Sequence, residues 1–262
     1  MSAQENPISA ALTPDSFVEV RQQMLSVQSL SKWVASPAKR IFDIAAVLSC
    51  SPLWIPPLLV IAVAVRLSSR GPVIFQQARA GCFDRYFTIY KFRTMRHVPH
   101  RRRSAIAAVS ADEVTPVGRI LRRFKLDELP QVINVLLGQM SLVGPRPKVP
   151  EQQLELLPCR PGITGSATLA FAREDGLFAQ IPEDALAGFY RDAVLPAKHR
   201  LDSDYMRHAT FAGDLRILLD TVLGRWGSGE EAIACMHEDS LPPNPPATLC
   251  HPPRGKESKI FL

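Results

Sequence analysis

Two adjacent carboxylates, Asp127 and Glu128, sit inside the stretch RRFKLDELPQVINVLLGQMSLVGPRP, which runs from Arg122 to Pro147. Arg119, Arg122, Arg123 and Lys125 precede them, and Arg146 follows within a Gly-Pro-Arg-Pro turn. Such a pair has a structural use: an Asp at a helix N-cap and a Glu in the first turn each stabilise a helix by about 1 kcal/mol. It also has a chemical use. Consecutive helical residues point about 100° apart, so one acid can face a reacting group while its neighbour holds a metal. Arginines around them can grip phosphate oxygens bidentately. Nucleophilic carboxylate, divalent cation and cationic clamp together fit phosphoryl transfer.

The elements that must position these groups are readable from the same stretch. A helix is predicted to begin around Asp127 to Leu129, with Pro130 tolerated because first-turn amides lack intrahelical partners. Leu129, Val132, Ile133, Leu136 and Leu137 recur at helical spacing, which predicts a core-facing stripe, and Gly138 suits the C-cap. A preceding helix is expected after Thr115 as cap, with Pro116 at its first position. Upstream, Val73–Gln77 and Tyr86–Arg93 read as strands turning at Ala80-Gly81. Period two places Phe87, Ile89, Lys91 and Arg93 on one face. Two cations that continue an apolar face point to an anion, or they reach solvent at the strand's end.

The most hydrophobic segment is KRIFDIAAVLSCSPLWIPPLLVIAVAVRLSSR, Lys39 to Arg70, which carries no charge between Ile44 and Val65. A straight helix of that length would match a bilayer core. Pro52, Pro56 and Pro57 interrupt it, and Ser49 and Ser51 flank the expected break, where they can satisfy freed backbone groups. Lys39 and Arg40 stand before it and Arg66 and Arg70 after it, so both ends favour the cytoplasm. A helix, break, helix that enters and returns through one leaflet satisfies that preference. Competing readings are a single crossing and a buried core helix. A secretory signal is disfavoured by the position near residue 40 and by the lack of a small-residue cleavage site.

Composition bounds the rest. The 262 residues are 46% hydrophobic, enough for a substantial core in one large domain or two small ones. Net charge is +6, yet Arg66 to Pro147 holds fifteen Lys/Arg against five Asp/Glu, a local +10, so the remainder nets −4. A basic middle implies an anionic partner, or else a solvated face. Five scattered cysteines form no C-x-x-C pair, and the histidines show no metal spacing, so neither a zinc site nor a disulfide framework is indicated. Residues 1–32 read as an extension with a short helix over Phe17–Leu30, 96–114 as a basic loop suited to acidic lipid, and 226–262 as a disordered Pro-rich tail.

The segments KRIFD, GPVIFQQARAG, FTIYKFRTM, TPVGRILRRFKLDELPQVINVLLGQMSLVGPRP and RPGITG resemble the bacterial sugar transferases, the monotopic phosphoglycosyl transferases, from about Lys39 to Val222. The resemblance implies transfer of a phospho-sugar from a UDP-sugar donor to a polyprenyl phosphate acceptor, releasing UMP. This is the first membrane step of exopolysaccharide, capsule, O-antigen or glycoconjugate assembly. It implies that Asp127 is the covalent nucleophile, that Glu128 helps hold Mg²⁺, and that the hydrophobic segment is a re-entrant helix hinged at Ser51-Pro52. The expected fold is α+β: a mostly helical catalytic domain over 71–225 with a small β-hairpin, attached through a re-entrant membrane helix over 33–70. The expected place is the cytoplasmic face of the bacterial inner membrane, in contact with lipid, with room for a homo-oligomer. Lys91, Arg93, Arg119 and Arg146 are the candidate phosphate-binding cations, and Asp43 is expected to pair with a nearby arginine. After RPGITG the chain departs from the common family pattern, so residues 166–205 either line the sugar pocket or cover the core. A non-catalytic membrane scaffold is the alternative from another class. Nucleic-acid binding is not expected, because no motif for it accompanies the basic middle.

Overall fold

The computed structural model describes residues 30–96, 113–150, 157–179 and 181–234. The short helix expected over Phe17–Leu30, the core of the basic loop and the Pro-rich segment after residue 234 lie outside the described residues, apart from Leu30 itself and the ends of the loop. The described chain is mostly helical, with one antiparallel hairpin and one short parallel strand pair.

Helix α1, Pro37–Ser49, starts where the Ser36 hydroxyl accepts from the Lys39 amide, with Pro at the first helical position. The break falls on the single residue Cys50, and α2 resumes as Ser51–Ser68 with Pro52 in its first turn. Pro56 and Pro57 lie inside α2 without ending it. Across the break the Trp54 indole donates to the Val47 carbonyl at 2.9 Å, tying α2 back onto α1. Helix α2 is long and apolar enough to cross a membrane, and only Ile61 and Val65 of its 18 residues are buried. Leu53, Leu59, Val60, Val63 and Leu67 point outward. Such a face is costly in water, and lipid would relieve it.

Strands β1, Ile74–Ala80, and β2, Tyr86–Phe92, pair antiparallel with Ile74 opposite Phe92 and Ala80 opposite Tyr86. Phe87 and Ile89 of β2 pack with Val47, Val132, Val135 and Met140 in one core cluster. Helix α3, Pro116–Arg123, is capped by Thr115, whose hydroxyl accepts from the Gly118 amide at 2.9 Å. Gly118 is required there, because a Cβ would stand 2.0 Å from the Thr94 carbonyl oxygen.

The expected helix at the acids forms in two pieces. A 3₁₀ turn covers Leu126–Gln131, and helix α4 covers Val132–Leu136. Lys125, just before the turn, takes a left-handed backbone (φ 56°). The 3₁₀ turn changes the period and hence the faces. Val132, Asn134 and Val135 are buried, whereas Ile133, Leu136 and Leu137 of the expected core stripe are 42, 38 and 60% exposed. Gly138 ends the helix as expected, with φ 79° and its amide donating to Val135 at 2.9 Å.

Strand β3, Ser141–Val143, pairs in parallel with β4, Gly162–Thr164. The remaining helices are α5 (Ser166–Ala170), α6 (Glu174–Phe178), α7 (Glu183–Phe189), α8 (Leu195–His208), α9 (Phe211–Val222) and α10 (Glu230–Ala234), with a π turn over Tyr190–Val194. Residues 226–234, read from sequence as the start of the tail, therefore include a helix. Its Ile233 is fully buried with Phe171, Leu177, Phe189 and Val194.

Among the described residues Asp43 pairs with no arginine. Its carboxylate accepts from the Ser141 hydroxyl at 2.7 Å and the Leu142 amide at 3.2 Å, fastening α1 to β3. A second buried carboxylate, Asp214, accepts from the Lys39 ammonium, the Trp33 indole at 2.8 Å and the Tyr205 hydroxyl at 2.8 Å. These two acids satisfy the polar groups that join α1 to the body of the protein.

Candidate active site

Glu128 is the centre of the site. It lies buried in the 3₁₀ turn, and two cations converge on one of its oxygens. The Lys91 ammonium of β2 and the Arg146 guanidinium each donate to Oε1 at 2.7 Å. Burial alone would push the Glu128 carboxyl up, but the charges of Arg146 and Lys91 outweigh it and hold the group far below the usual carboxylate range. Burial depresses Lys91 despite its carboxylate partner, whereas Arg146 is raised by Glu128.

Asp127, half-buried beside Glu128, is pushed the other way. Burial and the Glu128 charge raise its carboxyl, opposed by Lys91 and Arg122. Two neighbouring acids with divergent proton affinities are a recurring mark of sites with divided labour.

Backbone contacts place Arg146. Its turn packs directly onto the segment before β4: the Gly162 amide donates to Pro145 at 2.8 Å, and a Cβ on Gly162 would stand 2.1 Å from the Gly144 nitrogen. Pro145 and Pro147 restrict the turn further. Arg79 of β1 braces it from the hairpin, donating from Nη1 to the Pro147 carbonyl at 3.2 Å. Arg79, Lys91, Glu128, Gln131, Arg146 and Gly162 line a small, open cleft.

The other expected cations lie elsewhere. Arg93 is buried at the end of α2, where it donates to the carbonyls of Val65, Ser69 and Pro72 and to the Ser69 hydroxyl. Arg119 is on the exposed side of α3, and no contact joins it to the acids among the described residues. Ser51 and Pro52 occupy the first turn of α2, immediately after the break.

Three contributors lie outside the four candidate cations and the acidic pair, although Arg122 is among the cations noted before the acids. Arg122 is fixed by a 2.9 Å bond from Nε to the Thr94 hydroxyl and acts electrostatically on Asp127. Arg79 was indistinguishable from other hairpin cations. Asn134, fully buried, accepts from the Tyr90 amide at 3.2 Å and donates to the Thr88 carbonyl at 2.7 Å, locking α4 to β2 beside Lys91. Its signal was a lone amide within an apolar helix, which needs buried partners.

A divalent cation fits these residues. Among the described residues no three His, Cys, Asp or Glu gather as a metal cluster. Mg²⁺ requires less, since it is bound by one or two carboxylates with the remaining positions filled by water and substrate phosphates. Glu128 alone meets that minimum and leaves Asp127 free to react.

Residues 34–226 match the family described as Bacterial sugar transferase. The chain is 36% identical over 195 residues to the UDP-glucose:undecaprenyl-phosphate glucose-1-phosphate transferase of Caulobacter vibrioides, covering 70% of this chain and 68% of that one. It is 46% identical over 110 residues to the UDP-N-acetylgalactosamine-undecaprenyl-phosphate N-acetylgalactosaminephosphotransferase of Aeromonas hydrophila, covering 42% of this chain and 26% of that one. It is also 35% identical over 206 residues to the exopolysaccharide production protein PSS of Rhizobium leguminosarum, covering 73% of this chain and 96% of that one. The matched region spans α1 through α9 and contains both acids, both cations on Glu128 and the broken apolar helix, and on that ground the chain belongs to the bacterial sugar transferase family.

Proposed function

We propose that the protein transfers a phospho-sugar from a UDP-sugar to undecaprenyl phosphate, opening the assembly of an exopolysaccharide or related glycan. The observation that carries this reading is a buried carboxylate held ionised by two cations, directly beside a second acid of raised proton affinity. The names of the Caulobacter and Aeromonas relatives supply the donor and acceptor classes. They differ in sugar, so the sugar is left to experiment.

In the proposed first step an Asp127 carboxylate oxygen attacks the sugar-linked phosphorus of the donor. The bond from that phosphorus to the bridging oxygen breaks, and UMP leaves with that oxygen. In the second step a phosphate oxygen of the acceptor attacks the same phosphorus, the bond to Asp127 breaks, and the carboxylate is regenerated. Bound Mg²⁺ would neutralise the diphosphate charge, with Glu128 as its protein ligand and Asp127 left to react. Glu128 accepts from both Lys91 and Arg146 on Oε1, and its other oxygen, Oε2, would be the one to bind a divalent cation. Arg146, with 43% of its side chain exposed, faces the oxygens on which charge develops.

Helices α1 and α2 together suit a segment that enters the bilayer, breaks at Cys50 and returns on the side it came from. Cationic residues at both of its ends favour that topology over a crossing. Incubating the purified protein with undecaprenyl phosphate and a panel of UDP-sugars tests the reading. UMP release dependent on one UDP-sugar supports it, and no release above background from any of them contradicts it.

A further inference from the structure

The outward face of α4 is apolar, and the end of that helix is ringed by positive charge. Ile133, Leu136 and Leu137 stand exposed there. Arg40 donates from Nη1 to the Val135 carbonyl at 2.6 Å and from Nη2 to Leu136 at 3.1 Å. Arg160 donates from Nε to the Gly138 carbonyl at 2.9 Å. A Cβ on Gly138 would lie 3.6 Å from Arg40 Nη2, so both guanidinium groups gather around one residue. They repel each other, and no carboxylate bonds to either among the described residues. The nearest acid to Arg40 in charge terms is Asp43, whose oxygens are engaged by Ser141 and Leu142.

Capping a helix end needs one cation; two adjacent ones leave positive charge unbalanced. Each guanidinium has five N–H donors, of which the helix end takes two from Arg40 and one from Arg160. We propose that Arg40 and Arg160 form a headgroup site that holds the phosphodiester of an anionic bilayer lipid, with Ile133, Leu136 and Leu137 against its acyl chains. Guanidinium forks match phosphate oxygens, and arginines that ring exposed leucines suit the boundary between headgroups and hydrocarbon. The site is separate from the cleft at Glu128, and it does not depend on the reaction proposed above.

Thermal unfolding of the full chain in dodecyl maltoside micelles tests this. Doping with dioleoylphosphatidylglycerol is expected to raise the parent Tm by about 3 °C or more, beyond any rise given by dioleoylphosphatidylcholine. In Arg160→Gln, whose amide can still donate to Gly138, that increment is expected to vanish. Should that variant fail to fold, Arg160→Lys keeps the charge without the fork and is expected to lose more than half of the increment. Equal increments in parent and variant would overturn the proposal, as would equal increments from the two lipids. The same rise from inorganic phosphate alone would assign the site to a free anion and overturn the bilayer assignment.

Discussion

Lys91, in strand β2, and Arg93, just past its end, stand two residues apart and reach different partners, one at the site and one on α2. Lys91 donates to Glu128 at 2.7 Å, while Arg93 closes the carbonyl end of the apolar helix α2. This short run of backbone thereby couples the apolar helix α2 to the acidic pair. A shift of α2 would be transmitted to Lys91 with little slack, because Phe92 between them is buried with Ile61 and Val65 of that helix.

Arg93→Met should destabilise the protein while sparing the chemistry. It removes four hydrogen bonds from a charged donor and leaves the carbonyls of Val65, Ser69 and Pro72 without that partner. A loss of about 2–3 kcal/mol is expected, read as a lower denaturation midpoint, with kcat of the folded fraction near parent. A selective loss of kcat at parent stability would place Arg93 in the reaction instead.

Lys91→Met should act on the chemistry and its pH dependence. Lys91 lowers the carboxyls of both Asp127 and Glu128, so its removal favours their protonated forms. The acid limb of the pH–rate profile is expected to move to higher pH, with kcat reduced roughly 10²-fold, as for loss of one charge-stabilising donor. An unmoved acid limb would mean that Lys91 does not set the ionisation of the pair.

Asp202 offers a test that leaves the cleft intact. Burial pushes its carboxyl up to about 7, against the opposing charges of Lys148, Lys198 and Arg146. The ordinary value is near 3.9, so between the two values the folded state holds a proton that the unfolded state has released. Stability attributable to this group therefore falls as pH rises from about 4 to 7, at about 1.4 kcal/mol per unit. Asp202→Asn should flatten that fall, raising Tm at pH 8 relative to parent more than at pH 5. An equal offset at both pH values would contradict the assignment.

The hairpin, the Thr115 cap with Pro116 and the Gly138 stop were legible because each rests on local chemistry: β-branched runs, a hydroxyl acceptor, a left-handed glycine. The break in the apolar segment was legible too, although it falls on Cys50 and leaves Pro56 and Pro57 within the helix. What could not be read depended on distant partners. Nothing local distinguishes Lys91, which meets a carboxylate, from Arg93, which meets carbonyls. The stripe at Ile133, Leu136 and Leu137 misled because the 3₁₀ turn at Pro130 changed the period ahead of it. Asp43 took Ser141 and Leu142 rather than an arginine, a choice made by the packing of α1 on β3.

The proposed scheme, with Glu128 holding Mg²⁺, carries a metal dependence that can be tested. EDTA is expected to abolish UMP release, and Mg²⁺ in excess to restore the parent rate. Activity indifferent to the chelator would remove the metal from the proposed scheme.

The central claim is that Asp127 briefly carries the phospho-sugar. The most direct measurement is mass spectrometry of the protein after incubation with the active UDP-sugar and Mg²⁺, with the lipid acceptor withheld. The account predicts a phospho-sugar mass increment on the peptide containing Asp127, absent in Asp127→Asn and discharged when undecaprenyl phosphate is added. Turnover with no adduct at any time after mixing, or an adduct retained by Asp127→Asn, would contradict it.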